Sequence, residues 1–324
     1  MDKKDNKILT ELILNSRIPI NQLAKKAGIS REVATYRLNK LTKEKTILSF
    51  NTIINTEILG FLRFGCCIQL KNISPLKEKE FLDFLINHDF VTYLGPIVGR
   101  WNFGFDILAK DRTHLENIMK EITNRLQENI ESFIVINTGA EEFFPTKIMG
   151  VNKEIIYRKP NKKINPDRKN LEILKIMSRN SRVEYKELSK KLNLTPNAIK
   201  YRIKNLETSG AIQGYTISLD ISHFGYVWKN IRIKLTGKKI SILKSFLRQS
   251  REVVYFYEYL GNENWDLDIG IIIKNSLDLR NFILQLKEKF GDVIKIHEIY
   301  DILEESKGNY APEGVFKLEI FKNS

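Results

Sequence analysis

The sequence predicts an α+β fold built twice: a winged helix-turn-helix domain followed by a ferredoxin-like βαββαβ domain, then the same pair again. Three observations predict it. The stretch TPNAIKYRIKNL, from Thr195, has a close relative in SREVATYRLNKL, from Ser30, at an offset of 165 residues. After each stretch the apolar period changes from 3.6 to 2, a change from helix to strand. Positive charge gathers on the two helix-rich segments, whereas the strand-rich remainder is slightly acidic. A fixed offset that keeps residue types in place signals duplication and precedes any other reading. Asn15-Ser16-Arg17 falls on Asn180-Ser181-Arg182, Lys25-Lys26 on Lys190-Lys191, and Gly60 on Gly225.

The elements follow in order. Residues 2–15 form a helix with Ile8, Leu9, Leu12 and Ile13 inward. Residues 20–27 form a second, short helix with Leu23 and Ala24 inward. Gly28 suits the tight turn that follows, because glycine takes a positive φ without penalty. Ser30 is the N-cap of a third helix that buries Ala34, Leu38 and Leu41. Helix, short helix, turn, helix is the helix-turn-helix order. Residues 47–58 are expected as a short hairpin, the wing. From Leu62, apolar residues alternate through Phe64, Cys66, Ile68 and Leu70. Helix 75–87, strands 91–98 and 101–109, helix 111–129 and strand 130–137 complete a βαββαβ set: a four-stranded sheet with helices on one face. The other face needs a covering partner.

Residues 140–150, EEFFPTKIMG after Ala140, read as an apolar tail returning to the first domain, and 151–166 as a basic linker with Pro160 and Pro166. The pattern then restarts. Thr195 is an N-cap, Pro196 occupies the first helical position, and Ile199, Ile203 and Leu206 form the apolar stripe. Gly210 stands at a helix C′ position where the first copy has Lys45. A wing follows from Ala211. Val227, Lys229, Ile231, Ile233 and Leu235 share one strand face. Helix 239–250, strands 253–260 and 265–273, helix 276–290 and strand 293–302 make the second set. Residues 310–321 alternate weakly, as an added edge strand would. The expected domains are 1–60 and 167–225 (winged helix-turn-helix), 61–150 and 226–324 (ferredoxin-like), with the linker at 151–166.

The chain has 324 residues, net charge +14, 42% hydrophobic and 28% charged residues. That is enough for two or more domains with real cores. No secretory signal is expected behind MDKKDNK, and no apolar run approaches the ~20 residues that span a bilayer. Cys66 and Cys67 are strand neighbours pointing to opposite faces, so neither a disulfide nor a metal site follows, and a reducing cytoplasm is the expected setting. Residues 1–45 and 165–210 each carry eleven Lys/Arg against five Asp/Glu, and residues 151–164 carry five against one. A polyanion meeting these segments, and not the rest, would account for that distribution.

The outward faces of the two longer helices carry the candidate contacts: Arg31, Thr35, Tyr36 and Asn39 in one copy, Asn197, Lys200, Tyr201 and Lys204 in the other. Cations and amides on a short exposed helix suit a DNA major groove, where Arg and Lys match guanine and Asn matches adenine. Arg37 and Arg202 stand at the edge as phosphate clamps or as salt bridges within the motif. Lys25, Lys26, Lys190 and Lys191 form a solvated charged face. The four histidines, His88, His114, His223 and His297, do not coincide at the repeat offset. No phosphate-binding glycine loop, nucleophile elbow or metal-ligand spacing occurs, so no cofactor or metal is expected.

NSRVEYKELSKKLNLT with IKYRIKNLETSGAI, and NSRIPINQLAKKAGIS with VATYRLNKL, resemble the helix-turn-helix signature of the Lrp/AsnC, or feast/famine, regulators. The resemblance implies a non-enzymatic transcription regulator whose effector domains pair through their sheets, often under control of an amino acid. Two such copies in one chain imply a built-in pseudo-dimer that binds double-stranded DNA, without a membrane. It also places the effector motif at Gly99, Trp101 and Asn102, and at Gly261, Trp265 and Asp266. The first has Asn where the family has Asp, and the second has two extra residues before Trp; interface core is the favoured role of the two tryptophans, ligand contact the other. The same architecture resembles siroheme decarboxylase, a tetrapyrrole enzyme, which is the alternative function.

Overall fold

The computed structural model describes residues 1–151, 166–236 and 240–317. The linker expected at 151–166 lies almost wholly outside these residues. In the first copy, α1 (Lys3–Leu14), α2 (Ile20–Ala27) and α3 (Arg31–Lys43) form the helix-turn-helix. Strand β1 (Ile47–Ile54) precedes β2 (Leu62–Leu70), α4 (Pro75–Asn87), β3 (Val91–Val98), β4 (Phe103–Ala109), α5 (Arg112–Leu126) and β5 (Ile130–Phe143). The second copy repeats this as α6 (Arg168–Arg179), α7 (Tyr185–Leu192), α8 (Pro196–Thr208), β6 (Ile212–Leu219), β7 (Val227–Leu235), α9 (Ile240–Gln249), β8 (Val253–Leu260), β9 (Leu267–Ile273), α10 (Ser276–Phe290) and β10 (Ile294–Ile302).

The caps follow the sequence. Asp2 and Asp5 form a capping box at α1, and Gly28 closes α2 at φ 67°. Asn193 takes the same left-handed role after α7, at φ 52°. Lys45 and Gly210, equivalent by the repeat, both have positive φ, 57° and 81°. Only the glycine does so without steric cost.

The wing expectation is corrected. Neither copy folds a hairpin after its third helix. Each contributes one strand, and β1 pairs antiparallel with β6 of the other copy. Asn51 faces Thr216, its own repeat equivalent, so the ladder is centred on a pseudo-two-fold axis. An eight-residue strand with no local return finds its backbone partners where the duplication supplies an equivalent strand.

The two βαββαβ sheets also merge. Strand order is β10-β7-β9-β8-β5-β2-β4-β3, and β10 returns to pair with β3. The two seams, β5–β8 and β10–β3, exchange strands reciprocally between copies and close an eight-stranded ring. Helices α4 and α5 cover the outside of the first sheet over Cys66, Phe103 and Phe105. Helices α9 and α10 cover the second over Phe256, Leu267 and Ile269. The inner faces enclose Cys67, Trp101, Tyr259, Trp265 and Tyr300. The adjacent cysteines thus lie in separate cores, both as free thiols, as strand alternation requires.

The segment after β5 is a second correction. It returns to the first copy only in part: Met149 packs against the cluster of Ile8, Leu9 and Leu12, while the rest crosses to the other copy. Phe144 enters the second copy's core, where its ring centroid lies 6.0 Å from that of Phe256, and Ile148 packs on Val254 and Ile272. β5 runs on to Phe143 because its far end is paired with β8, and that carries the tail across. The C-terminal segment makes the reciprocal crossing. A two-residue strand, β11 (Lys307–Gly308), pairs with β3. The expected edge strand at 310–321 is not formed in its described part: residues 313–316 are a 3-10 turn, with Val315 and Phe316 buried in the cluster that contains Phe61 and the core of the second helix-turn-helix. Residues 318–321 lie outside the described part.

Candidate nucleic-acid interface

Each reading helix is set by a buried stripe, a side-chain cap and an arginine clamp. On α3, Ala34, Leu38 and Leu41 are buried; on α8, Ile199, Ile203 and Leu206 are. Ser30 Oγ accepts from the Val33 N–H at 3.3 Å, and Thr195 Oγ1 from the Ala198 N–H at 3.2 Å. Such caps contribute ~1 kcal/mol each and fix where the helix begins.

Arg37 and Arg202 are half-buried. Arg37 Nη1 donates to Asp2 Oδ2 and to Asp5 Oδ1, both at 2.7 Å. Arg202 Nη1 donates to Asp167 Oδ2 at 2.6 Å and Asn170 Oδ1 at 2.9 Å. Both bonds tie the third helix to the cap of the first. Hydrogen bonds from the Asp5 N–H and from Arg37 hold the Asp2 carboxyl down at about 2, and Asp5 and Asp2 together push the Arg37 guanidinium up. Both arginines thus form the salt bridge that is one of the two readings open for them.

The eight candidate contact residues are all exposed: Arg31, Thr35, Tyr36, Asn39, Asn197, Lys200, Tyr201 and Lys204. The two tyrosines, equivalent by the repeat, are 68% and 67% exposed, far more than a phenol packed for stability. The Thr35 hydroxyl donates to the Arg31 carbonyl of its own helix at 2.9 Å. Of the lysine pairs, Lys26 reaches Glu11 at 2.5 Å and Lys191 reaches Glu187 at 2.9 Å. Both lie on the exposed surface, as a solvated face does.

The halves meet between these helices at a reciprocal seam that residue-type reasoning left unassigned. Ser16 Oγ and Ser181 Oγ, repeat equivalents, are 2.6 Å apart and buried. Arg17 donates to the carbonyls of Ser181 and Val183, while Arg182 donates to those of Ser16 and Ile18. Arg17 lies over the rings of Tyr185 and Tyr215, and Arg182 over Phe50. Burial, and then the nearby Arg17, pull the Arg182 guanidinium down. The repeated Asn-Ser-Arg triplet was the sequence signal for this seam.

Four of the six residues expected at the effector motif make structural contacts. Trp101 and Trp265 are 2% and 5% exposed and fill the barrel interior. Asn102 Oδ1 accepts from the Leu70 N–H at 2.7 Å. Asp266 accepts from the Leu235 N–H at 2.6 Å and from Lys234 at 3.1 Å. Gly99 and Gly261 take positive φ in the turns. Trp101 Nε1 reaches Glu298 of the other copy at 3.4 Å.

Comparison with known proteins agrees with the duplication. A family model described as winged helix-turn-helix DNA-binding matches residues 1–47 and again 166–213. An uncharacterized HTH-type transcriptional regulator of Pyrococcus abyssi is 31% identical over 135 residues, 41% of this chain and 90% of that protein. Among solved structures, the siroheme decarboxylase NirDL matches with a TM-score of 0.62 at 14% identity, over 99% of this chain and 97% of that one. An AsnC family transcriptional regulator from Agrobacterium tumefaciens matches with a TM-score of 0.38 at 19% identity, over 42% of this chain and 88% of that one. The decarboxylase likeness, at that identity, concerns the fold alone. No helix among the described residues is long and apolar enough to cross a membrane.

Proposed function

Since the chain belongs to the Lrp/AsnC family of DNA-binding transcription regulators and carries two copies of it, we propose that one chain reads one asymmetric DNA site as an intrachain pseudo-dimer. Helices α3 and α8 enter successive major grooves, roughly 34 Å apart or a multiple of it. Arg31, Asn39, Asn197 and Lys200 reach base edges; Tyr36, Tyr201 and Lys204 reach bases or phosphates. The observation that carries this reading is the paired geometry: two clamped helices, related by a pseudo-two-fold axis, with unlike and fully exposed polar faces. Arg37 and Arg202 act as positioning residues, holding each reading helix rather than contacting DNA themselves.

Control by an amino-acid-like effector at Gly99, Trp101 and Asn102, and at Gly261, Trp265 and Asp266, is the finer part of the proposal. Its support is position: both turns lie where the two copies meet, so a ligand there would bear on their relative setting.

Salt tests the electrostatic half of the proposal. Neutralising several phosphates should make log affinity fall linearly with log salt, by about 0.9 per phosphate contacted. Binding measured by fluorescence anisotropy on a selected duplex should therefore weaken by orders of magnitude between low and physiological salt. A flat response would remove the phosphate contacts from the account.

A further inference from the structure

Inside the barrel the two sheets present unlike side chains at equivalent positions. Across β8, β9, β7 and β10 of the second copy, one cross-strand row reads Tyr257, Asp268, Arg232, Glu298. The same row of the first copy, across β3, β4, β2 and β5, reads Gly95, Gly104, Cys67, Ile134. One side is large, polar and charged; the other is small and apolar. Arg232 and Cys67 hold equivalent places in their sheets, and they touch: Arg232 Nη2 lies 3.1 Å from Cys67 Sγ. A residue that contacts its own equivalent sits beside the pseudo-two-fold axis.

The charged side finds its ionic partners within its own half. Arg232 is 3% exposed and Asp268 0%. Arg232 Nε donates to Asp268 Oδ2 at 3.0 Å, and Nη1 to Glu298 Oε2 at 3.1 Å. The Tyr259 and Tyr300 hydroxyls donate to Asp268 Oδ2 at 2.7 and 2.8 Å, and Asn230 donates to Oδ1 at 2.7 Å. What this half lacks is space on the facing sheet at the axis, and the first copy supplies that at Cys67; the room over Gly104 is taken by Ile97, and that over Gly95 by Tyr93 and Ile302.

We propose that this row is a pairing code: the second-copy sheet accepts a first-copy sheet as its partner and rejects a copy of itself. Two second-copy sheets would bring two Arg232 guanidiniums together at the axis, out of reach of screening water. Two first-copy sheets would set two Cys67 side chains against each other and leave a void. The β1–β6 ladder makes no such distinction, because it is a backbone pairing centred on equivalent residues. The code makes the chain an obligate heteropair. On the DNA-binding reading, it also keeps the two unlike reading helices together in one fixed order.

The full-length chain supplies the test. Cys67→Arg recreates at the axis the contact that two second-copy sheets would make. Cys67→Met also lengthens the side chain, though by less than arginine does, and without charge. Cys67→Arg combined with Arg232→Cys returns a single guanidinium to the axis, within reach of Asp268. Urea denaturation followed by near-ultraviolet circular dichroism, which senses Trp101 and Trp265, reads the outcome. The expected order of midpoints is wild type, then the double variant and Cys67→Met, with Cys67→Arg lowest, and the double variant recovering more than about half of the loss. If Cys67→Arg gives no folded protein while the other two do, the proposal stands. A Cys67→Met variant as damaging as Cys67→Arg, or a double variant no better than the single one, overturns it. None of these readouts involves DNA, so failure here is distinct from failure of the DNA-binding proposal.

Discussion

Replacing Asp268 with alanine should destabilise the chain by about 3–5 kcal/mol, the usual effect of removing one partner of a buried ion pair. The carboxylate accepts from Arg232, Tyr257, Tyr259, Tyr300 and Asn230, and it is shut off from solvent. Burial first, and then charged neighbours that include Asp268, push the three phenols up, which keeps them protonated as donors. For Arg232, burial pulls the guanidinium down, but Cys67, Tyr300, Tyr259 and Asp268 more than offset this and hold it above its ordinary value. Truncation leaves Arg232 with Glu298 as its remaining carboxylate and takes the acceptor from three buried hydroxyls, and a buried polar group left unsatisfied costs about 1–3 kcal/mol. Asp268→Asn keeps the shape and part of the bonding, so it should cost less than alanine. Chemical denaturation of the two variants checks this. A loss below about 1 kcal/mol for alanine would mean that water or rearranged neighbours satisfy the cluster.

Removing Lys200 and Lys204 together should cost little stability and much DNA affinity. Both are exposed on α8, away from the stripe of Ile199, Ile203 and Leu206, so stability should change by no more than about 0.5 kcal/mol. A residue contacting a base edge contributes about 1–3 kcal/mol of discrimination, and each lost phosphate contact lowers the salt slope by about one. The double variant should therefore bind at least tenfold more weakly, with a change of base preference confined to one half of the site. Tyr36→Ala should affect the other half. Anisotropy titrations on duplexes altered in one half at a time measure this directly. Equal weakening on both halves would argue that α8 contributes only general attraction.

Much of this arrangement was legible in the sequence because its signals are local. The stripes on α3 and α8, their Ser30 and Thr195 caps, and the alternation from Leu62 depend on neighbours a few residues away. The offset of 165 residues exposed the duplication itself. What was missed is non-local. Residues 47–54 read as part of a hairpin because their actual partner, 212–219, lies in the other copy. The tail after Ala140 read wholly as a return to its own domain for the same reason, whereas only Met149 goes back and Phe144 crosses over. Alternation correctly put Asn230 and Arg232 on the face opposite Ile231 and Ile233, but polar residues on a second face suggest solvent. Only the closure of the two sheets makes that face an interior. Tyr255, Tyr257 and Tyr259 at period 2, with Asp268 in the next strand, were the available hint. At the reading helices, exposure agrees with the pattern at every candidate position, whereas the effector candidates carry structural bonds that a motif cannot reveal.

The central claim is that two unlike groove-reading helices are tethered in one polypeptide. Selection of bound duplexes from a random DNA pool by the full-length chain, repeated with a panel of amino acids, tests it most directly. The expected result is one oriented site with two different half-sites, occupied by a single chain. Enrichment of symmetric palindromes only, or of no sequence at all, would contradict it.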